Sequence, residues 1–135
     1  MTYDVIIIGA GPGGIFSAYE LMQRRPEWKV AVLEAGNPLE KRHCPIDGDK
    51  VKSCIHCKTC AIMNGFGGAG AFSDGKLNTG TKDLRHGYIL EEFVRFGASE
   101  DILVDAKPHV GTDKLYVVLQ NLRREIIDRG GEVRF

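Results

Sequence analysis

The sequence predicts an α/β fold built on a parallel sheet, and three segments carry that prediction. Residues 3–8 and 29–34 are short apolar runs with several β-branched side chains, which is typical of buried parallel strands. Between them, residues 15–25 carry apolar side chains at helical spacing, and Pro26 stops that helix. A strand, a helix and a second strand in this order indicate a right-handed crossover between parallel neighbours.

The second half of the chain adds two predicted helices and a third strand. Residues 83–96 are predicted to form a helix that Gly97 ends, and Thr112 or Asp113 is predicted to cap the next helix. That last helix is expected to run to about residue 129, and residues 131–135 then begin a strand. Five apolar positions line one face of it: Leu115, Val118, Leu119, Leu122 and Ile126.

A long irregular segment separates these two halves. Residues 36–81 show no helical or strand period, and six glycines lie between Gly65 and Gly80. Glycines at this density allow the backbone to approach a ligand closely. An irregular stretch of this length within one domain is more often functional than idle.

The composition excludes several classes of partner. The 135 residues suit one domain, and 18 basic residues balance 18 acidic ones. This balance predicts neither nucleic acid nor an anionic membrane as partner. The longest aliphatic run covers only residues 5–8, and the N-terminus lacks the basic region of a secretory signal. We therefore expect a cytoplasmic protein, in which clustered cysteines more often bind metal or carry out redox chemistry than form structural disulfides.

Residues 9–14, GAGPGG, fit the dinucleotide pattern G-x-G-x-x-G in the context that the pattern requires. They follow a strand and open a helix, and Glu34 ends the next strand twenty residues after Gly14. Gly9 permits the tight turn, Gly11 lets the backbone approach a pyrophosphate, and Gly14 lets the helix pack closely. The sequence thus predicts a Rossmann-like FAD/NAD(P)-binding domain; the alternative is a glycine turn without a ligand. The candidate binding residues are Gly9, Ala10, Gly11, Pro12, Gly13, Gly14 and, for the ribose hydroxyls, Glu34.

All four cysteines lie in one part of the irregular segment, at Cys44, Cys54, Cys57 and Cys60. Three cysteines at two-residue spacing, with a remote cysteine followed by proline, are typical of ferredoxin-type sequences and favour a [4Fe–4S] cluster. Structural zinc sites more often use two separated pairs. Zinc, a redox pair (the second cysteine with the third, or the third with the fourth) and four unligated thiols remain open. His43 and His56 are alternative ligands.

The glycine loop of residues 70–77 nearly fits the phosphate-binding P-loop. It fails at Leu77, where a hydroxyl should hold magnesium, and no apolar strand precedes it. The sequence therefore does not favour an ATPase. Asp74 and Gly75 are also compatible with a simple turn that leaves Lys76 in solvent.

The chain resembles the N-terminal segment of flavoproteins with two dinucleotide-binding domains. The segments CPIDG, CIHCKTCAIMNGFGGAGAFSDGKLNTG and KPHVGTDKL are similar to a group of bacterial and archaeal FAD-dependent dehydrogenases whose substrates are unassigned. The resemblance to the wider superfamily is carried by Asp4, Gly9, Gly11, Gly14, Ala18 and Glu34.

The resemblance implies that the bound dinucleotide is FAD. It places the loop of residues 70–77 along the flavin side, where Ser73, Asp74 and Lys76 would contact cofactor or substrate and Lys76 would stabilise the reduced flavin. It also implies that Arg42 reaches the pyrophosphate; the alternative for Arg42 is a surface arginine without a ligand. Members of the group are much longer chains, so residues 1–135 are expected to be the N-terminal part of an FAD-binding domain. Within it, residues 1–36 form the nucleotide unit, 37–81 the Cys/Gly-rich loop insertion and 82–135 a helical segment leading into the third strand.

The expected function is the FAD-binding segment of a flavin-dependent oxidoreductase, with an iron–sulfur cluster as a candidate second cofactor. The intact protein is expected to be an enzyme acting on a small molecule. The sequence identifies no catalytic residue, substrate or electron donor. The alternatives are a non-catalytic nucleotide- or metal-binding fragment and a flavin-linked thiol–disulfide oxidoreductase.

Overall fold

A three-stranded parallel sheet forms the centre of the computed structural model, which describes residues 2–77, 83–105 and 107–135. The strands are β1 (Val5–Ile8), β2 (Val30–Leu33) and β3 (Glu132–Arg134), in the order β1-β2-β3. All three predicted strands are confirmed, each slightly shorter than the predicted segment. Residues 78–81, the end of the predicted irregular segment, lie outside the described residues.

Three helices accompany the sheet: α1 (Pro12–Arg24), α2 (Arg85–Arg95) and α3 (Thr112–Asp128). Helix α1 begins three residues before the predicted start, because Pro12 occupies its first turn, where a missing N–H costs nothing. The predicted cap of α3 is wrong. Gly111 precedes that helix, no side chain caps it, and Thr112 and Asp113 already lie within its first turn. Short 3₁₀ turns cover Leu39–Lys41, Ala69–Phe72 and Glu100–Leu103.

Helices α1 and α3 pack together on one face of the sheet and form the core. The predicted apolar face of α3 is confirmed, since all five of its residues are buried. The opposite face of β1 is open: Ile6 is 54% exposed and Ile8 is 79% exposed. The chain is thus an α/β protein with a parallel sheet, compatible with a Rossmann-like fold. No helix within the described ranges is long and apolar enough to cross a bilayer.

Candidate functional site

The glycine turn of residues 9–14 joins the end of β1 to the start of α1. Gly9 adopts a positive φ of 95°, and its N–H donates to the carbonyl of Leu33 at 2.7 Å. A Cβ atom on Gly14 would lie 1.9 Å from the carbonyl oxygen of Gly9. The structural roles predicted for these two glycines, a tight turn and close helix packing, are therefore confirmed.

Among the described residues, no side chain accepts a hydrogen bond from the N–H groups at the start of α1. Gly11 is the residue before the helix, no side chain caps it, and its first turn contains no acidic residue. The first-turn N–H groups and the positive end of the helix dipole favour an anion at this position. A Cβ atom on Gly11 or Gly13 would meet no heavy atom of the described residues within 4 Å. The fold itself therefore does not require glycine at position 11, and the space beside it is open.

Glu34 ties this turn to two other parts of the chain. Its Oε2 accepts a hydrogen bond from the Ala10 N–H at 2.7 Å. Its Oε1 accepts from the N–H of Gly36 at 2.8 Å and from the N–H of Gly65 at 2.9 Å. Burial opposes ionisation of Glu34, but these backbone donors and the nearby Arg42 outweigh it, and the pKa of the carboxyl lies below its ordinary value.

This lowered pKa predicts an acid-sensitive contribution to stability. A depressed folded-state pKa means that the stabilisation by ionised Glu34 is complete above the ordinary value of about 4.5. It is lost as the pH falls through the folded-state pKa. We expect the urea midpoint to fall as the pH decreases below about 4.5, and to fall less steeply in Glu34→Gln, since that variant cannot titrate there. Denaturation curves across this range check the prediction; parallel slopes in parent and variant would contradict it.

A second glycine-rich segment, residues 65–68, lies against the first turn. The Gly67 N–H donates to the carbonyl of Ala10 at 2.7 Å, and the Phe66 N–H donates to the carbonyl of Asn37 at 3.1 Å. The Phe66 side chain is fully buried. The density of glycines indicated close backbone approach in this region, but no sequence signal identified Ala10 as the partner. The two glycine segments are therefore in direct contact near the start of α1.

Arg42 holds that second segment in place. The side chain is buried, and its guanidinium stacks over the Phe72 ring at 4.4 Å. Its Nε donates to the carbonyl of Ala61 at 2.9 Å. The two terminal nitrogens donate to the carbonyls of Ile62, Phe66 and Gly68 at 2.7 to 2.8 Å. The sequence missed this role, and contact of Arg42 with a pyrophosphate stays a prediction.

The loop that contains Lys76 is joined to the segment before α3. Lys76 and His109 form an antiparallel bridge, the Leu77 N–H donates to Pro108 at 2.9 Å, and the His109 ring contacts the carbonyl of Asp74. The Lys76 ammonium lies 2.8 Å from the Asp74 carboxylate and is mostly exposed. Lys76 also lines, with Pro12, a small cavity of about 110 Å³. The loop therefore lies near the start of α1, while its contact with a flavin stays a prediction.

The four cysteines line one cavity of about 290 Å³. All four are free thiols; Cys44 and Cys60 are half-buried, and Cys54 and Cys57 are exposed. Across the described parts of the chain, which include this whole loop, no three His, Cys, Asp or Glu side chains converge on a point where a single metal ion could sit. The four predicted ligands thus line one cavity, but they do not share a single coordination centre.

Comparison with known proteins gives one match along nearly the whole chain and several short ones. An uncharacterized protein of Clostridium beijerinckii is 41% identical over 130 residues, which is 96% of this chain and 24% of that protein. The chain therefore spans about a quarter of the length of this relative. Thiamine thiazole synthases of Phaeosphaeria nodorum and Yarrowia lipolytica are each 54% identical over 33 residues, about 10% of their length. No family model matches the chain.

Proposed function

We propose that this chain binds FAD at the turn of residues 9–14 and forms the dinucleotide-binding part of a flavin-dependent oxidoreductase. The observation that carries the proposal is the open space at Gly11, beside an uncapped helix start. The fold does not require glycine at position 11. We therefore infer that the absence of a side chain leaves room for a ligand group close to the backbone. A phosphate suits that place, because the helix dipole and free N–H groups attract anions.

Glu34 provides the ribose end of the proposed site. A carboxylate offers about four acceptor positions, and the three backbone N–H groups occupy three of them. The remaining position on Oε2 can accept from a ribose hydroxyl. Because Glu34 and the glycine turn share the Ala10 N–H, the ribose and phosphate positions are fixed relative to each other.

FAD is favoured over NAD by the resemblance described above, since an acidic residue at position 34 suits the ribose of either dinucleotide. The bound flavin would accept hydride or electrons from the substrate. Residues 9–14 would bind the phosphates, and Glu34 would orient the ribose. The reaction belongs to the whole protein, of which the chain spans about a quarter in the Clostridium relative.

Gly11→Ala tests this proposal without disturbing the fold. We expect the Kd for FAD to rise at least about tenfold, because the added methyl group occupies the path of the phosphate. FAD binding is measured by quenching of flavin fluorescence, with NAD⁺ as competitor. Tighter binding of NAD⁺ than of FAD would contradict the choice of cofactor.

Gly87→Ala is the matched control for that experiment. Gly87 lies in α2, and a Cβ atom there also meets no atom of the described part of the chain within 4 Å. Both variants therefore add a methyl group to open space, and only one adds it beside the helix start. Equal FAD affinity in the two variants would overturn the proposed site.

A further inference from the structure

The cysteine loop is closed at its two ends by one side chain. Arg42 precedes Cys44 by two residues, and its guanidinium binds the carbonyls of Ala61 and Ile62, directly after Cys60. Both ends of the loop of residues 43–60 therefore lie beside the buried side chain of Arg42. An irregular segment with fixed ends can hold a defined conformation.

A turn in the middle of the loop brings the remote cysteine back to the other three. The Asp47 carboxylate accepts from the N–H of Asp49 at 2.9 Å and of Val51 at 2.8 Å, and the Asp47 N–H donates to Val51 at 3.1 Å. Cys44 lies three residues before this turn, and Cys54 lies three residues after it. The chain reversal explains how cysteines ten positions apart line the same cavity.

A second local feature lies between Cys54 and Cys57. His56 has a φ of 52°, and among the described residues it is the one non-glycine residue with a positive φ. Such a conformation costs about 1–3 kcal/mol and persists mostly at functional sites. It turns the His56 N–H toward the Cys54 sulfur, at 3.4 Å. Hydrogen bonds of this type to ligand sulfurs are among the features that tune iron–sulfur clusters.

The placement of the four cysteines around one cavity, without a shared centre, favours a cluster over a single metal ion. The cavity, of about 290 Å³, is larger than one water or one bare ion requires. Zinc needs four ligands at about 2.3 Å from one centre, but the described side chains have no such point. A cubane binds each thiolate at a different iron, so its ligands surround a volume. Ile46 and Ile55 are among the other residues that line the cavity.

The charge of the loop also suits such a ligand. The chain as a whole is neutral, but residues 41–60 contain five basic and two acidic residues. A cluster held by four thiolates is anionic, and the excess of basic side chains favours it. We propose that this cavity binds a [4Fe–4S] cluster through the thiolates of Cys44, Cys54, Cys57 and Cys60. The site requires no bound FAD.

Anaerobic reconstitution of the 135-residue chain with ferrous iron and sulfide tests the proposal. We expect about four iron and four sulfide ions per chain, with broad visible absorption that dithionite bleaches. Cys44→Ser and Cys57→Ser are each expected to fall below about one iron per chain. Thr59→Ala, an exposed change inside the same loop, is the matched control and should load like the parent.

Three results would overturn the proposal. The first is iron binding in Cys57→Ser equal to that in Thr59→Ala while both variants keep the circular dichroism of the parent. The second is one zinc per chain that iron and sulfide do not displace. The third is no metal but a reversible loss of two thiols on oxidation, which would identify a thiol–disulfide pair. FAD binding is then measured on the same samples after FAD is added. A failure to bind FAD would count against the FAD proposal alone.

Discussion

Replacing Gly14 with alanine is expected to destabilise the chain by more than about 3 kcal/mol. The new Cβ would lie 1.9 Å from the carbonyl oxygen of Gly9 and 3.3 Å from the Ile7 side chain. The nearest atom belongs to the backbone, so no side chain can rotate away, and α1 must separate from the turn. Overpacking in a core typically costs about 1–3 kcal/mol and a backbone clash more, against a total stability of about 5–15 kcal/mol for a typical domain.

Gly13→Ala is the control for this prediction. Its added Cβ would meet no atom of the described residues within 4 Å, although it lies one residue away in the same helix turn. The urea midpoint and the soluble yield of the two variants are compared with those of the parent. We expect Gly13→Ala to stay within about 1 kcal/mol of the parent. A Gly14→Ala variant as stable as Gly13→Ala would show that α1 does not pack on Gly9 as described.

The first strand–helix–strand unit, within residues 1–36, could be predicted because its determinants are local. The β-branched runs, the glycine spacing and the position of Glu34 lie within 36 consecutive residues and act through neighbours in the chain. The structure confirms the turn at Gly9, the packing at Gly14 and the third strand. The start of α1 lies earlier than the sequence predicts. Proline and glycine are poor helix formers in a helix interior, whereas the first turn of a helix accepts them.

The contacts of the irregular segment could not be predicted, because they join residues far apart in the chain. Arg42 meets carbonyls 19 to 26 residues away, and a backbone carbonyl carries no sequence signature. The cap of α3 was misplaced for a related reason. The Val110 N–H bonds to Gly75, and this pairing sets the path by which Gly111 enters the helix. Glycine density indicated close approach, while the partner in each contact depends on the complete fold.

Arg42→Ala is expected to cost at least about 3 kcal/mol, since hydrogen bonds to a charged group contribute about 1.5–3 kcal/mol each and their carbonyl partners would lose them together. Four carbonyls accept from this guanidinium, and two of them belong to the glycine segment beside Ala10. We therefore expect faster hydrogen exchange at the Gly67 N–H as well as a lower urea midpoint. Arg42→Lys should recover only part of the loss, because one ammonium cannot reproduce the planar fork.

Arg24→Ala is the control, since Arg24 is largely exposed and pairs with Glu20 on the surface of α1; such pairs contribute about 0.3–0.5 kcal/mol. If Arg42→Ala costs no more than Arg24→Ala, the buried cation does not organise the loop.

The expected effect of Arg42→Ala also concerns both proposed sites. The same guanidinium anchors the residues after Cys60 and the segment beside the glycine turn, so its loss should lower both iron loading and FAD affinity. Loss of one without the other would show that the two sites are built independently.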